Sequence, residues 1–250
     1  MKGVSKTVLS ESDDVKSLLV RIGADLSVGG GSWNGPVDSR TKNFAYVPIP
    51  ESCPVHPGME KPYTDLASVL SPFGVSLPAH LRARHMHLDP DFNYLSYGDQ
   101  GERARQLQGK LGQDDMIVFY AGLADVRTRR PLVYAIIGLF IVDEIVPATS
   151  VPASARDTNA HSRRILAEGA QDLIVHARSK VSGRLERCIS IGEWRNGAYR
   201  VRRDLLDAWG GLSVKDGYLQ RSARLPELLK PERFRRWFQS NEPVFLQSNN

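Results

Sequence analysis

The sequence predicts an α+β fold, a single domain built on a curved mixed β-sheet or partial barrel with helices on its flanks. Three observations carry this. Residues 114–123, DDMIVFYAGL, and residues 131–146, PLVYAIIGLFIVDEIV, are rich in Val, Ile, Phe and Tyr and are joined by a polar, arginine-containing turn. Such runs read as a hairpin of core strands. Gly138 interrupts the second run and marks a bend or bulge that lets the strand curl. Residues 231–240 begin with proline and place Phe234, Trp237 and Phe238 on one side, as an amphipathic helix does. A chain of 250 residues is long enough to bury a full core in one domain. The expected division is a flexible leader over 1–16, the domain over 17–240 and a tail over 241–250.

Taken in order, residues 17–22, SLLVRI, predict a first strand. The loop that follows carries Gly29, Gly30, Gly31 and Gly35, where the backbone can turn without a Cβ clash. It is neither a phosphate-binding Walker loop nor a dinucleotide fingerprint, because no GK[ST] and no GxGxxG is present. A short strand over 44–49 leads into an irregular proline-rich passage over 48–62, then a short helix over 65–70. Residues 87–108 read as an irregular loop, since Asp-Pro-Asp, Asn93 and Gly-Asp favour turns, with a helix over 102–111 at its end. Asp99 is a candidate cap for that helix. After the hairpin come a helix over 159–168 with Asn159 as N-cap, strands over 172–177 and 188–191, and a helix over 204–209. Gly210 and Gly211 give that last helix a C-cap signature.

The formal charge is +5, from 33 Lys and Arg against 28 Asp and Glu, and the sequence pI is about 9.3. Arginines crowd the second half, and a basic face suits a phosphate-rich partner. Cys53 and Cys188 are far apart, with no CxxC, so neither a disulfide framework nor a zinc ribbon is indicated. His80, His85 and His87 are interleaved with Arg82 and Arg84 and read as a basic approach, not a metal site. The longest apolar run is broken by Gly138, Asp143 and Glu144, so no membrane segment is expected and the expected location is cytoplasmic.

The functional expectation centres on HLDPDFNYLSYGDQGERARQLQ, residues 87–108. Three aspartates, a histidine and three aromatics on one loop are what a pocket for a polar ring-shaped ligand needs. VRIGADLSVGGGSWNGPVDS, YVPIPE, HLDPDFNYLSYGDQGERARQL, DMIVFYAGL, NAHSRR and DGYLQRS together resemble the nucleotide modification associated domain, type 3 family. YGDQG and DPDF are the most specific of these blocks. The resemblance implies association with systems that install, recognise or attack hypermodified DNA bases. It also suggests kinship with phage-defence DNA glycosylases acting on glucosylated hydroxymethylcytosine.

Two readings follow. In the first the protein is a DNA glycosylase that flips a modified base of phage DNA and hydrolyses its N-glycosidic bond. Asp89, Asp91, Asp99 and Asp38 are the carboxylate candidates. Trp33, Phe92, Tyr94 and Tyr97 are candidates for stacking on the base, and Asn34, Asn93 and Gln220 for reading its edge. His161, Arg163 and Arg164, in the first turns of a helix whose N-terminus favours anions, and Arg221, in an extended polar run, are candidates for holding phosphates. The scheme calls for no metal and no organic cofactor. In the second reading the same residues form a non-catalytic reader of modified bases on a barrel like those associated with pseudouridine synthases. A nuclease is a lesser option, kept open by Asp89-x-Asp91 but unsupported by nuclease spacing.

Overall fold

The computed structural model describes residues 15–128, 131–219 and 222–250. The chain opens with β1 (Ser17–Arg21), β2 (Pro36–Val37) and β3 (Ile49–Pro50), followed by α1 (Ala67–Leu70), β4 (Met86–His87) and β5 (Ser96–Asp99). Next come α2 (Gly101–Lys110), β6 (Met116–Asp125), β7 (Val133–Pro147), the single-turn helix α3 (Ala160–Arg163), β8 (Leu173–Ala177) and β9 (Gly183–Ser190). The C-terminal part holds β10 (Gly192–Arg195), β11 (Ala198–Val201), α4 (Arg203–Trp209), α5 (Pro231–Ser240) and β12 (Phe245–Leu246).

The predicted hairpin is the spine. β6 and β7 pair antiparallel from Met116 opposite Ile141 to Leu123 opposite Val133, and β1 lies parallel along the other edge of β6. The first half of β7 also pairs with β9, and its second half with β8, which in turn pairs with β5. With β2 on β6 and β12 on β9, eight strands make one mixed sheet that does not close into a barrel. The α+β expectation is met.

Side chains of β6 alternate between two cores, as strand geometry requires. Ile117, Phe119 and Ala121 join one buried cluster with Phe92, Tyr97 and Leu107, while Met116, Val118 and Tyr120 join a second. The second cluster is closed by Leu205 and Trp209 of α4 and by Phe234 and Phe238 of α5. Along β7 the alternation changes parity. Ala135 and Ile137 face the first cluster, but beyond Gly138 it is Phe140 and Val142 that do so. The cause is a bulge at the predicted place, for Phe119 pairs with Gly138 and Tyr120 with Ile136, leaving Ile137 without an opposite residue. A Cβ on Gly138 would lie 2.6 Å from the Phe92 ring, so the same glycine admits that ring to the core.

Several element expectations are corrected. The strand expected over 44–49 is reduced to Ile49–Pro50, because the backbone of 44–47 divides its bonds among Pro36 of the two-residue β2, Ala24 and the Asn250 side chain, with no long strand beside it. The 87–108 stretch is more regular than its turn residues suggest. It contains β4, β5 and α2, and the Asp91–Ser96 segment between them is a turn closed by hydrogen bonds between those two backbones. Gln100, not Asp99, holds the N-cap position of α2. The helix expected over 159–168 stops after one turn, with Arg164 extended, although Asn159 caps it as expected. Gly210 at φ 80° ends α4 in the left-handed C-cap conformation its sequence signalled. In the 241–250 segment, Phe245–Leu246 pairs with β9 and the Asn249 side chain accepts from the Phe92 N–H at 2.7 Å.

Among the described residues, no helix is long and apolar enough to cross a membrane. Cys188 lies in the first core cluster, and burial pushes its thiol up to about 12. It therefore stays protonated at pH 8, where Cys53 is half-buried nearer the surface. Brief iodoacetamide treatment of the native protein at pH 8 is expected to label Cys53 and spare Cys188 by mass spectrometry. Both label once the chain is unfolded in guanidinium.

Candidate active site at the His87, Asp89 and His161 cluster

Three short elements converge where β5 meets β8. The β3 and β4 pair sets Ile49 opposite His87, which brings Glu51, just past β3, onto the His87 imidazole. His87 Nδ1 lies 2.6 Å from Glu51 Oε2. Two residues on, Asp89 crosses to β5, where its Oδ1 accepts from the Gly98 N–H at 2.7 Å and from the Asn159 amide at 2.9 Å. Asn159 is also the cap of α3, its Oδ1 accepting from the His161 N–H, so the cap fixes Asp89 and His161 together. His161 Nδ1 in turn is 2.6 Å from Oδ1 of Asp172, the residue before β8. Gly98 makes this approach possible, since a Cβ there would collide with the His161 ring and stand 2.8 Å from Asn159 Oδ1.

The two imidazoles are edge to face, 5.0 Å between centroids, and His87 and His161 are 6% and 3% exposed. Each uses Nδ1 on a carboxylate. Asp89 Oδ2 is 4.0 Å from His161 Nε2. Donor atoms of His87, Asp89 and His161 all fall within 4.8 Å of one another. Arg164 ties the arrangement from behind, donating to Glu51 Oε1 from Nε at 3.1 Å and Nη2 at 2.9 Å, with Nη1 3.8 Å from Asp172 Oδ1. One guanidinium thus holds both carboxylates that hold the histidines. Its Nη2 is also 3.2 Å from His87 Nδ1, but the Glu51 contact is shorter and assigns the Nδ1 proton to the bond with the carboxylate.

Burial sets the charge states. It drives the His87 imidazole down to about 4 despite the Glu51 hydrogen bond, so the ring is neutral at pH 7. Burial raises Asp89 to about 6, partly offset by His161, the Gly98 N–H and Asn159. For Glu51, burial acts upward but is outweighed by the His87 hydrogen bond and the Arg164 guanidinium, which hold it at about 2. Asp172 is likewise held below its ordinary value, burial being overcome by the His161 hydrogen bond and the nearby Arg164 guanidinium. A neutral imidazole, a carboxylate poised near neutrality and a carboxylate-backed histidine are the equipment of a proton-transfer or metal-binding centre.

A family model described as nucleotide modification associated domain 3 matches residues 16–246, a span that contains the whole cluster. The chain belongs to this family. No curated protein and no solved structure matches it. Membership confirms the resemblance read from the YGDQG and DPDF blocks, and it sets the protein in the context of nucleotide modification.

In this nucleotide modification associated domain the residues singled out from sequence fall into separate groups. Asp89, His161 and Arg164 meet in the cluster, where His161 Nδ1 and the Arg164 guanidinium are buried and engaged with carboxylates. Asp99 and Tyr97 flank it. Tyr97 Oη donates to Asp99 Oδ2 at 2.5 Å, and Arg103 donates to Tyr97 Oη at 2.8 Å and pairs with Asp99 at 2.8 Å. Asp91 points the other way, into a buried pair with Arg163 at 2.5 Å, so both are framework and not catalytic acid and phosphate clamp. Phe92 is fully buried, edge to face with Tyr46, Phe119 and Phe140, and Tyr97 is core as well, so neither presents a ring to a base. Asn93 faces solvent and bonds Gln247 and Asn249 of the C-terminal segment, beside the exposed Tyr94.

Trp33, Asn34 and Asp38 lie apart from the cluster. Trp33 packs on a satellite core with Leu66 and Leu81, and the buried Asn34 amide donates to the Gly122 carbonyl at 2.7 Å. Asp38 pairs with Arg127 beside the β6–β7 turn, at the opposite end of β7 from the strands that carry Asp99 and Asp172. Gln220 and Arg221 lie outside the described residues. The members that sequence reasoning missed are His87 as a site residue, Glu51, Asp172 and Asn159. NAHSRR at 159–164 and HLD at 87–89 were the available signals, since each sets a histidine two residues from a second cluster member.

Proposed function

We propose that this nucleotide modification associated domain is a hydrolytic enzyme acting on hypermodified bases in DNA, cleaving the N-glycosidic bond of an extruded nucleotide to leave an abasic site. The observation that supports it is the state of Asp89. One of its oxygens is saturated by Gly98 and Asn159, while the other faces His161 Nε2 across 4.0 Å. A water in that gap is oriented by a carboxylate on one side and a carboxylate-backed imidazole on the other. Its oxygen adds to C1′, its proton passes to the Asp89 and His161 pair, and the base leaves with the bonding electrons, taking up a proton from solvent or the site. The Asp89 charge favours the oxocarbenium-like centre that develops as the bond breaks. Extrusion of the base is required because this bond cannot be reached within the stack. Arg82, Arg84 and His85 are exposed and directly precede β4, which suits them to the phosphates flanking the extruded nucleotide.

Incubation with phage DNA carrying glucosylated hydroxymethylcytosine, with and without EDTA, is expected to release the modified base and leave abasic sites, and unmodified DNA is expected to stay intact. Mass spectrometry of the released base and cleavage at abasic sites read the result. Selective binding without product would replace this reading with that of a modified-base reader. Equal action on unmodified DNA would remove the specificity.

A further inference from the structure

From the same cluster, taken as the reaction centre proposed above, we infer that His87, Asp89 and His161 form a binding site for one divalent transition-metal ion of the zinc or iron type. The donor set is two imidazole nitrogens and one carboxylate oxygen, all within 4.8 Å of one another. Zinc and its neighbours bind such donors at about 2.0–2.2 Å, which calls for donor separations of about 3.3–3.5 Å in a tetrahedral site. Asp89 Oδ2 and His161 Nε2, at 4.0 Å, close to that range with a shift of roughly half an ångström.

The surroundings argue more strongly than the triad itself. Metal-bound histidines characteristically give their second ring nitrogen to a carboxylate, which fixes the tautomer and aims the free lone pair at the ion. Both histidines here do so, His87 with Glu51 and His161 with Asp172, each at 2.6 Å. The ligand carboxylate is braced in the same way, its Oδ1 held by Gly98 and Asn159 and its Oδ2 left over. Such bracing is what a rigid ion site requires, and a structural core histidine has no need of two partners aimed outward from a common point.

Charge points the same way. Glu51, Asp89, Asp99 and Asp172 are gathered around Arg103 and Arg164, four carboxyl groups against two guanidinium groups, and the side chains concerned are between 5% and 21% exposed. A buried excess of that size is costly unless a cation or protons answer it. A dication at the three donors answers it where it is concentrated. The nitrogen-rich donor set favours zinc, iron, cobalt or nickel over magnesium or calcium, which take oxygen ligands.

The test uses the full chain, stripped with EDTA, exchanged into metal-free buffer and titrated with Zn²⁺ or Co²⁺. One equivalent of Zn²⁺ is expected per chain by elemental analysis. The Co²⁺ form is expected to show visible absorption bands of a nitrogen-ligated, low-coordinate ion, and Mg²⁺ should not displace it. His87→Ala and His161→Ala should each weaken Zn²⁺ binding by at least 100-fold, and Glu51→Gln and Asp172→Asn by about 10- to 100-fold. His80→Ala, which changes a histidine outside the cluster, should leave binding unchanged. The Co²⁺ spectrum of the unsubstituted chain decides the donor type even where a histidine variant folds poorly. Failure to retain an equivalent of Zn²⁺, or retention unaffected by both cluster histidines, overturns the inference. An ion bound as described with no base released would leave the site standing and refute the glycosylase, while base release by a chain that fails to retain Zn²⁺ after reloading would uphold the glycosylase and overturn the metal site.

Discussion

Asp91→Ala is expected to destabilise the protein by about 3–5 kcal/mol, although this aspartate stands only two residues from Asp89. Its carboxylate is 1% exposed and meets the Arg163 guanidinium, itself 3% exposed, at 2.5 Å. Its other oxygen accepts from the Asn249 amide at 2.9 Å and from the Asn93 N–H at 3.2 Å. Arg163 is further held by Asp157, through Nε at 2.9 Å and through the Asp157 carbonyl at 2.6 Å. Removing the Asp91 carboxylate strands a buried cation and takes away one of the bonds that hold Asn249 to the Asp91–Ser96 turn. The loss comes from the unpaired charge more than from the missing attraction. A double variant, Asp91→Ala with Arg163→Met, is therefore expected to regain part of the stability lost by the single one. Urea denaturation followed by circular dichroism measures both. A single variant within 1 kcal/mol of the parent would show that the pair is not the framework described.

The fold was legible where local pattern and tertiary role agree. The β6–β7 hairpin announces itself because strands buried on both faces are apolar throughout, and Gly138 falls where the pairing slips. α5 starts at Pro231 and buries Phe234 and Phe238, as its spacing requires. The stretch around β5 was obscured by its own chemistry. Asp-Pro-Asp and Gly-Asp are turn formers by propensity, and here the aspartates bond to backbone groups of a strand and a turn that tertiary pairing imposes. The helix after Asn159 was overestimated for a related reason. Arg163 and Arg164 continue a helical pattern in sequence, but each is drawn inward to a carboxylate far along the chain, Asp91 and Glu51, and that costs the helix its later turns.

The candidate site shows the same limit. His87 and His161 carry no spacing signal, since what joins them is the β3–β4 pairing, the α3 cap and the first residue before β8. Grouping histidines by proximity in sequence drew His87 toward His80 and His85, both of which are exposed, and away from its actual neighbour. Asp89 was legible as a carboxylate of interest, but its distinction from Asp91 and Asp99 depends on which neighbours saturate each one. Asp99 answers to Arg103 and Tyr97, Asp91 to Arg163 and Asn249, and of these three aspartates Asp89 is the one with an oxygen directed at an imidazole.

Asp89→Asn is expected to lower base release by about 10²- to 10⁴-fold while making the metal-free protein more stable above pH 6. The asparagine keeps an oxygen for Gly98 and Asn159, so the framework survives and only the free carboxylate oxygen is lost. The stability effect follows from the raised titration of a side chain only 5% exposed. The folded state holds the Asp89 proton up to about pH 6, whereas the unfolded chain releases it near the ordinary aspartate value of 3.8. Between those values the native state binds more protons, so stability contributed by the neutral acid is intact below pH 4 and is lost as pH rises through 6. The difference between 3.8 and about 6 corresponds to roughly 3 kcal/mol at most. In EDTA the variant and parent should therefore have the same denaturation midpoint at pH 3.5, part between about pH 4 and pH 6 and stay apart above it, the variant being the more stable. A site carboxylate that is destabilising when ionised yet required for turnover is the trade expected where function, not folding, fixes the residue. Retained base release, or a variant less stable than the parent at pH 7.5, would move the reaction centre away from Asp89.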